Sequence, residues 1–242
     1  MSLLATTGRC MDTLRHLETC YDLLMPAQEK SIEAFAWFSG LPHPLFNAIM
    51  HLEGKDSIEK LDRLIHTGQL FGPLSIWVPK GQDNVPLAQA AQERGFVSIG
   101  ICPLMKWSVT PISQKPQHEI QKDALAFNEL VSKNFELQGE LKEKFLKLLQ
   151  ARSAENYVVY QQGKPVGTGT FLHNGEIGGI FNMSTLPEER NKGCATSLMH
   201  FIMQRAFKLN LKQLVLLSTP EAEKLYEKIG FETVLRIEPF AK

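Results

Sequence analysis

Arg190, Gly193 and Ala195 spell R-x-x-G-x-A within "PEERNKGCATSL", residues 187–198. After the arginine no bulky apolar side chain appears until Leu198. Small residues at a turn that opens a helix let a ligand come close to the backbone. The first turn of a helix has unpaired N–H groups and the positive end of the helix dipole. The ligand this suits is an anion such as a pyrophosphate. The N–H groups expected to point inward belong to Asn191, Lys192, Gly193, Cys194, Ala195 and Thr196, with Arg190 flanking. A near-match, "KPVGTG" at 164–169, sits in a strand pattern with no helix behind it and is set aside.

The elements around the turn must supply a strand before it and a helix after it. Leu198, Met199, Ile202, Met203, Ala206 and Phe207 recur at spacings of three and four, which predicts a helix over 194–208. Upstream, strands are predicted at 157–161, 166–172 and 176–183, joined by the turn residues Gly163 and Asn174-Gly175. Two helices, 120–134 and 140–151, precede them. "KQLVLLS" reads as a strand, "PEAEKLYEKI" as a helix and "FETVLRIEPF" as a last strand. The polar stretch 108–121, with Pro111 and Pro116, reads as a linker. Before it, helices are expected at 11–24, 29–38, 57–67 and 86–94, and strands at 45–51, 74–79 and 97–106.

The chain has 242 residues, 43% hydrophobic and 21% charged, enough apolar material for one or two globular domains. Acidic and basic residues number 26 each, and no basic stripe is visible, so no nucleic-acid partner is expected. Cys10, Cys20, Cys102 and Cys194 form no CxxC pair and no zinc spacing, so no metal is expected. Scattered thiols suit a reducing compartment. No signal-peptide pattern and no membrane-length apolar run is read, so a soluble cytoplasmic protein without a membrane partner is expected.

An internal echo divides the chain. "LSIWVP…LAQAAQERGFVSIG" and "LVLLSTPEAEKLYEKIGFETVL" both run strand, proline turn, helix, Gly-Phe, strand. Gly95-Phe96 corresponds to Gly230-Phe231, and Ala91 to Tyr226. Two explanations stand: any αβ unit can end its helix on glycine, or one fold is duplicated.

"GIFNMSTLPEERNKGCATSLMHFIMQRA" followed by "LVLLSTPEAEKLYEKIGF" resembles the GCN5-related N-acetyltransferase (GNAT) superfamily, over about 120–242. The resemblance implies an α/β fold of two tandem GNAT-like halves, each a mixed twisted sheet flanked by helices. Residues 1–112 would be a degenerate copy without the R-x-x-G-x-A turn, and 116–242 the catalytic domain. It implies acetyl-CoA as cosubstrate and direct attack by an amine acceptor, a small molecule or a peptide. Met183, Ser184 and Thr185, at the end of a splayed strand, would offer backbone groups to the pantetheine arm and the thioester carbonyl. Tyr226, in "LYEKIGF", would protonate the leaving thiolate.

Other residues carry two readings. Ser218 either orients a water or the pantetheine beside the cofactor groove or caps the next helix. Cys194 is read as a small loop residue, since the resembled family transfers directly. Glu176 and His173 are candidates for the base, or solvated hairpin residues. "LKEKFLKLLQ" is a solvated helix or a neighbour of the acceptor groove. Trp37, Trp77 and Trp107 read as core or interface aromatics, and His43, His51 and His66 as ordinary surface or core residues. A second function class is a non-catalytic acyl-CoA sensor or regulatory module. A third makes the first half a platform for protein interaction or a homodimer.

Overall fold

The computed structural model describes residues 3–24, 29–30, 34–52, 57–150 and 154–242. The first half runs α1 (Leu3–Leu24), β1 (Glu29–Lys30), β2 (Ala34–Phe38), β3 (Asn47–Leu52), α2 (Ser57–Gln69), β4 (Ser75–Pro79), α3 (Val85–Glu93), β5 (Val97–Ser98) and β6 (Cys102–Ser108). The second runs β7 (Glu119–Gln121), α4 (Ala124–Asn134), α5 (Gly139–Gln150), β8 (Glu155–Gln161), β9 (Lys164–His173), β10 (Ile177–Thr185), α6 (Cys194–Lys208), β11 (Gln213–Leu217), α7 (Pro220–Lys228) and β12 (Glu232–Ala241). The fold is α/β, with a mixed sheet flanked by helices.

The expected separate sheet in each half is replaced by one 12-stranded sheet among the described residues. Its order is β1-β2-β3-β4-β12-β6-β11-β10-β9-β8-β7, with β5 also on β12. The order interleaves the halves. The last strand of the chain, β12, lies antiparallel between β4 and β6. In turn β6, from the first half, lies antiparallel between β12 and β11. Parallel pairs occur at β3–β4 and β10–β11, each joined through one helix, α2 or α6.

Helices cover both faces. On one face Leu14, Leu17 and Leu24 of α1 pack with Phe127 and Val131 of α4 and Phe145 and Leu149 of α5. On the other, Leu198, Met199, Ile202 and Met203 of α6 pack with Tyr226 of α7, and Leu61, Leu64, Leu87 and Ala91 of α2 and α3 form a further cluster. Each fully buried leucine or isoleucine contributes about 1.5–3 kcal/mol. The periodicity read for α6 is the stripe that enters this core. Its C-terminus closes where Asn210 takes φ 55 and Leu211 N–H returns to Ala206 O at 3.1 Å.

Two expectations change. The helix expected over 29–38 is strand at 34–38. Trp37 is buried in one core cluster and Ala36 and Phe38 in another, on opposite faces of the sheet. Burial on both sides removes the alternation that would have announced a strand. The strand expected over 97–106 is broken into β5 and β6, with Gly100 at φ 118 between them. His51 and Cys10 have side chains outside the described residues. Trp37, Trp77 and Trp107 are buried in the core.

The repeated αβ units end alike. Gly95 N–H donates to Gln92 O at 2.9 Å and Phe96 N–H to Ala91 O at 3.1 Å. Gly230 N–H donates to Glu227 O at 3.0 Å and Phe231 N–H to Tyr226 O at 3.0 Å. Both glycines have positive φ, the helix-ending conformation that glycine adopts without a Cβ penalty.

Candidate active site

The site begins where two parallel strands part. β10 and β11 are in register from Ile177↔Gln213 to Ile180↔Leu216. Beyond Ile180, β10 stays with β9 through a bulge between Phe181 and Ser184, with Asn182 at φ 52. The buried hydroxyl of Thr168 holds the bulge: it donates to Asn182 O at 2.9 Å and meets Ser184 Oγ at 2.7 Å. The glycines of the discounted "KPVGTG" have a packing role here. A Cβ on Gly167 would fall 2.8 Å from Ser184 O, and one on Gly169 2.6 Å from Met183 Sδ. At Gly167 the obstacle is backbone, so only glycine lets β9 lie this close to the bulged strand there; at Gly169 the Met183 and Leu198 side chains would have to move.

The turn after β10 leads directly into α6. Arg190 N–H donates to Pro187 O at 3.3 Å, and its Nε to Thr185 O at 3.4 Å. Asn191 takes φ 62 and Gly193, at the start of α6, φ 81. No side chain among the described residues caps this end. The first intrahelical bond runs from Ser197 N–H to Gly193 O at 2.9 Å. The N–H groups of Cys194, Ala195 and Thr196 therefore lie in the first turn without intrahelical acceptors.

These parts face one cleft of about 1530 Å³. Its walls include Met183, Ser184, Thr185, Arg190, Asn191, Gly193, Cys194, Ala195, Thr196 and Tyr226 of the sequence-derived set. Two members of that set lie off the wall. Lys192 pairs with Glu189 at 2.9 Å. Ser218 is buried, its N–H on Pro103 O at 2.8 Å and its hydroxyl on Thr219 O at 2.7 Å. Neither His173 nor Glu176 lines the cleft: Glu176 pairs with Lys212, and the His173 ring stacks on Phe171. No residue of α5 lines it.

Tyr226 is 6% exposed, and burial pushes its phenol up to about 12, so it carries its proton throughout the neutral range. Cys194 is buried, its Sγ 3.4 Å from Gln161 Oε1 and 3.7 Å from His118 Nε2. Burial first, and then the Glu189 charge, push its thiol up, which keeps it neutral and a poor nucleophile. The cleft also has walls that no sequence motif marked. Lys133, Asn134, Phe135 and Glu136, at the end of α4, face the β10 bulge, and Asn134 Nδ2 donates to Ser184 Oγ at 2.8 Å. Glu221 stands exposed at the start of α7. Its own backbone N–H and the Thr219 side chain hold its carboxyl below the usual range. Its position after "STP" was the one available signal. Ile112 and Gln114 come from the stretch read as a linker.

Residues 121–231 match the family model described as the Acetyltransferase (GNAT) family. Among solved structures, a functionally unknown conserved protein from Staphylococcus epidermidis is similar at a TM-score of 0.68 and 13% identity, covering 91% of this chain and 94% of its own. A GCN5-related N-acetyltransferase from Kribbella flavida gives a TM-score of 0.68 at 13% identity, covering 95% of each chain. A Drosophila protein gives 0.61 at 14%, covering 99% of this chain and 88% of its own. No curated protein matches the chain in sequence. The family match covers a little under half of the chain, and the likeness to solved structures is one of fold. No helix among the described residues is long and apolar enough to cross a membrane.

Proposed function

We propose that the cleft binds acetyl-CoA and that the protein is an N-acetyltransferase acting on a primary amine. The observation that carries this reading is the meeting, in one cleft, of the parted β10–β11 strands, the uncapped turn at Gly193 and Tyr226. Acetyl-CoA supplies an activated acetyl thioester. The N–H groups of Asn191 through Thr196, with Arg190, receive the pyrophosphate, and Lys192 adds positive charge nearby. Met183, Ser184 and Thr185 offer backbone groups to the pantetheine arm and polarise the thioester carbonyl. The amine forms the new C–N bond as the C–S bond breaks; Tyr226 gives its proton to the departing thiolate, and the proton shed by the new amide nitrogen passes through water to restore the phenol. Ser218 acts indirectly, by tying the tip of β11 to β6. Glu221 is the carboxylate positioned to draw an ammonium to the mouth and to take its proton through water.

The first half, 1–112, is on this reading a diverged copy of 116–242. The matched helix ends at Gly95-Phe96 and Gly230-Phe231, and the two parallel crossovers, support it. Ala91 stands where Tyr226 stands, so the copy lacks the acid. The experiment is titration with acetyl-CoA, followed by release of free CoA thiol over a panel of amines. Binding with turnover on at least one amine supports the enzyme. Binding without turnover on any amine leaves a sensor, and no binding ends the proposal.

A further inference from the structure

A chain of hydrogen bonds holds the bulge of β10, and the direction of each proton in it follows from counting donors. Phe181 pairs with Thr170 and Ser184 with Thr168, so Asn182 and Met183 together face the single residue Gly169 of β9. The Thr168 hydroxyl has one proton and gives it to Asn182 O at 2.9 Å. It can therefore only accept from Ser184 Oγ, 2.7 Å away. Ser184 has then spent its own proton, and it accepts the Asn134 amide at 2.8 Å. Asn182 is held a second time through its side chain. Its Nδ2 donates to Thr170 Oγ1 at 2.9 Å, and Thr170 passes its proton to Asn156 Oδ1 at 2.8 Å. Thr168 and Thr170 are fully buried.

Two consequences follow from this direction. Ser184 stands on the cleft wall, yet its hydroxyl has no proton left to offer a ligand. The second consequence concerns the peptide that joins Asn182 to Met183. That peptide is trans, so its C=O and N–H point in opposite directions. With the Asn182 carbonyl drawn onto Thr168, the Met183 N–H points away from it. β11 is paired with β10 only as far as Ile180, so this N–H has no partner on β11. Met183 lies on the cleft wall. Asn182 takes φ 52, a left-handed conformation that asparagine tolerates because its short polar side chain can bond nearby.

We propose that Asn134 and Thr168 are positioning residues: the chain Asn134–Ser184–Thr168–Asn182 aims the Met183 N–H at the thioester carbonyl of the bound donor. The inference rests on the acetyl-CoA reading of the same cleft. Neither side chain reacts. Thr168 fixes the direction of the peptide, and Asn134, at the end of α4, fixes the Ser184 hydroxyl that completes the Thr168 bonds. A donor held in one direction before the reaction needs no reorganisation as charge develops on the oxygen.

The test is infrared difference spectroscopy of acetyl-CoA, isotope-labelled at the acetyl carbonyl and bound to the full chain. A hydrogen bond to that oxygen weakens the C=O bond, so the wild type is expected to lower the stretching frequency relative to free acetyl-CoA. Thr168→Val keeps the shape and loses the hydroxyl, and Asn134→Leu keeps the size and loses the amide. Both are expected to lose most of the lowering and to bind CoA, which carries no acetyl group, within a few-fold of wild type. Thr168→Ser restores the hydroxyl without the methyl and is expected to keep the lowering. The reverse order, with Thr168→Val like wild type and Thr168→Ser impaired, would make Thr168 a packing residue and overturn the proposal. So would a frequency unmoved in the wild type, or lowered equally in the wild type, Thr168→Val and Asn134→Leu. If Thr168→Val does not fold, Asn134→Leu, at a half-buried position, decides. A wild type that binds no acetyl-CoA would overturn the acetyl-CoA reading itself.

Discussion

The carbonyl of Pro103 accepts the N–H of Ser218 at 2.8 Å. A residue of the first half thereby holds the tip of β11, at the mouth of a cleft otherwise built largely by the second half. The contact continues the β6–β11 ladder, in which Leu104 pairs with Leu217 and Trp107 with Leu214.

Residues 116–242 expressed alone are therefore expected to fail. Without β6, neither β11 nor β12 keeps its shared neighbour, and each exposes a row of unpaired N–H and C=O groups. The isolated piece should aggregate or melt without a cooperative transition, and should not bind acetyl-CoA. Circular dichroism and size-exclusion chromatography check this. A monomer with a sharp melt would show that the exchanged strands are dispensable.

Acetyl-CoA should raise the melting temperature and bind once per chain. At one hundred times its dissociation constant a ligand adds about 2.7 kcal/mol, which is roughly 5–10 °C for a chain of this size. Gly193→Asp should remove the shift. Gly193 has φ 81, a conformation that aspartate tolerates at a cost of about 1–2 kcal/mol, so the fold should persist while its carboxylate repels the pyrophosphate. An unchanged ligand-induced shift in this variant would show that the turn is not the anion site.

Tyr226→Phe should lower kcat about 10²–10⁴-fold and leave the acetyl-CoA dissociation constant within a few-fold, because the interaction removed is made in the transition state. The phenol also predicts an alkaline signature. Burial raises it to about 12 in the folded protein, from about 10 in the unfolded chain. The contribution is complete below pH 10 and is lost as pH rises towards 12, because the unfolded chain gives up its proton first. Urea denaturation between pH 9 and 12 should show a shallower decline in the variant. Equal declines, together with an unchanged kcat, would leave Tyr226 as a packing residue.

Glu155 should govern the acid side. Its carboxylate accepts from Tyr157 Oη at 2.5 Å and pairs with Lys122 at 2.8 Å and Arg205 at 3.2 Å, joining β8 to α6. Burial alone would push the group up, but the hydrogen bonds from Lys122, Tyr157 and Arg205 together carry it down to about 2. Its contribution is complete above the unfolded value near 4.3 and is lost as pH falls through about 2. Glu155→Gln should cost about 1–3 kcal/mol at neutral pH and should flatten the loss of stability between pH 5 and 2. A variant as stable as wild type at pH 7 would mean that the ion pairs contribute nothing net.

The turn and its helix were legible because their causes are local. The apolar stripe from Leu198 to Ala206 declares a helix by its own period, and Gly193 is the residue a positive φ calls for. The hairpins of β8, β9 and β10 were legible from Gly163 and Asn174-Gly175 for the same reason. Tertiary packing decided the rest. Residues 34–38 are strand because both of their faces are buried, which erases the period that distinguishes strand from helix. Gly167 and Gly169 look like a loop motif until the bulge of β10 is laid against them. Which strand lies beside β11 is a choice between β6 and β12, two antiparallel partners of similar character and distant in sequence. No local preference distinguishes them, so only the closed sheet decides. The part of the cleft wall that Ile112 and Gln114 supply has the same cause: the chain leaves β6 between β11 and β12 and must cross α6 to reach β7.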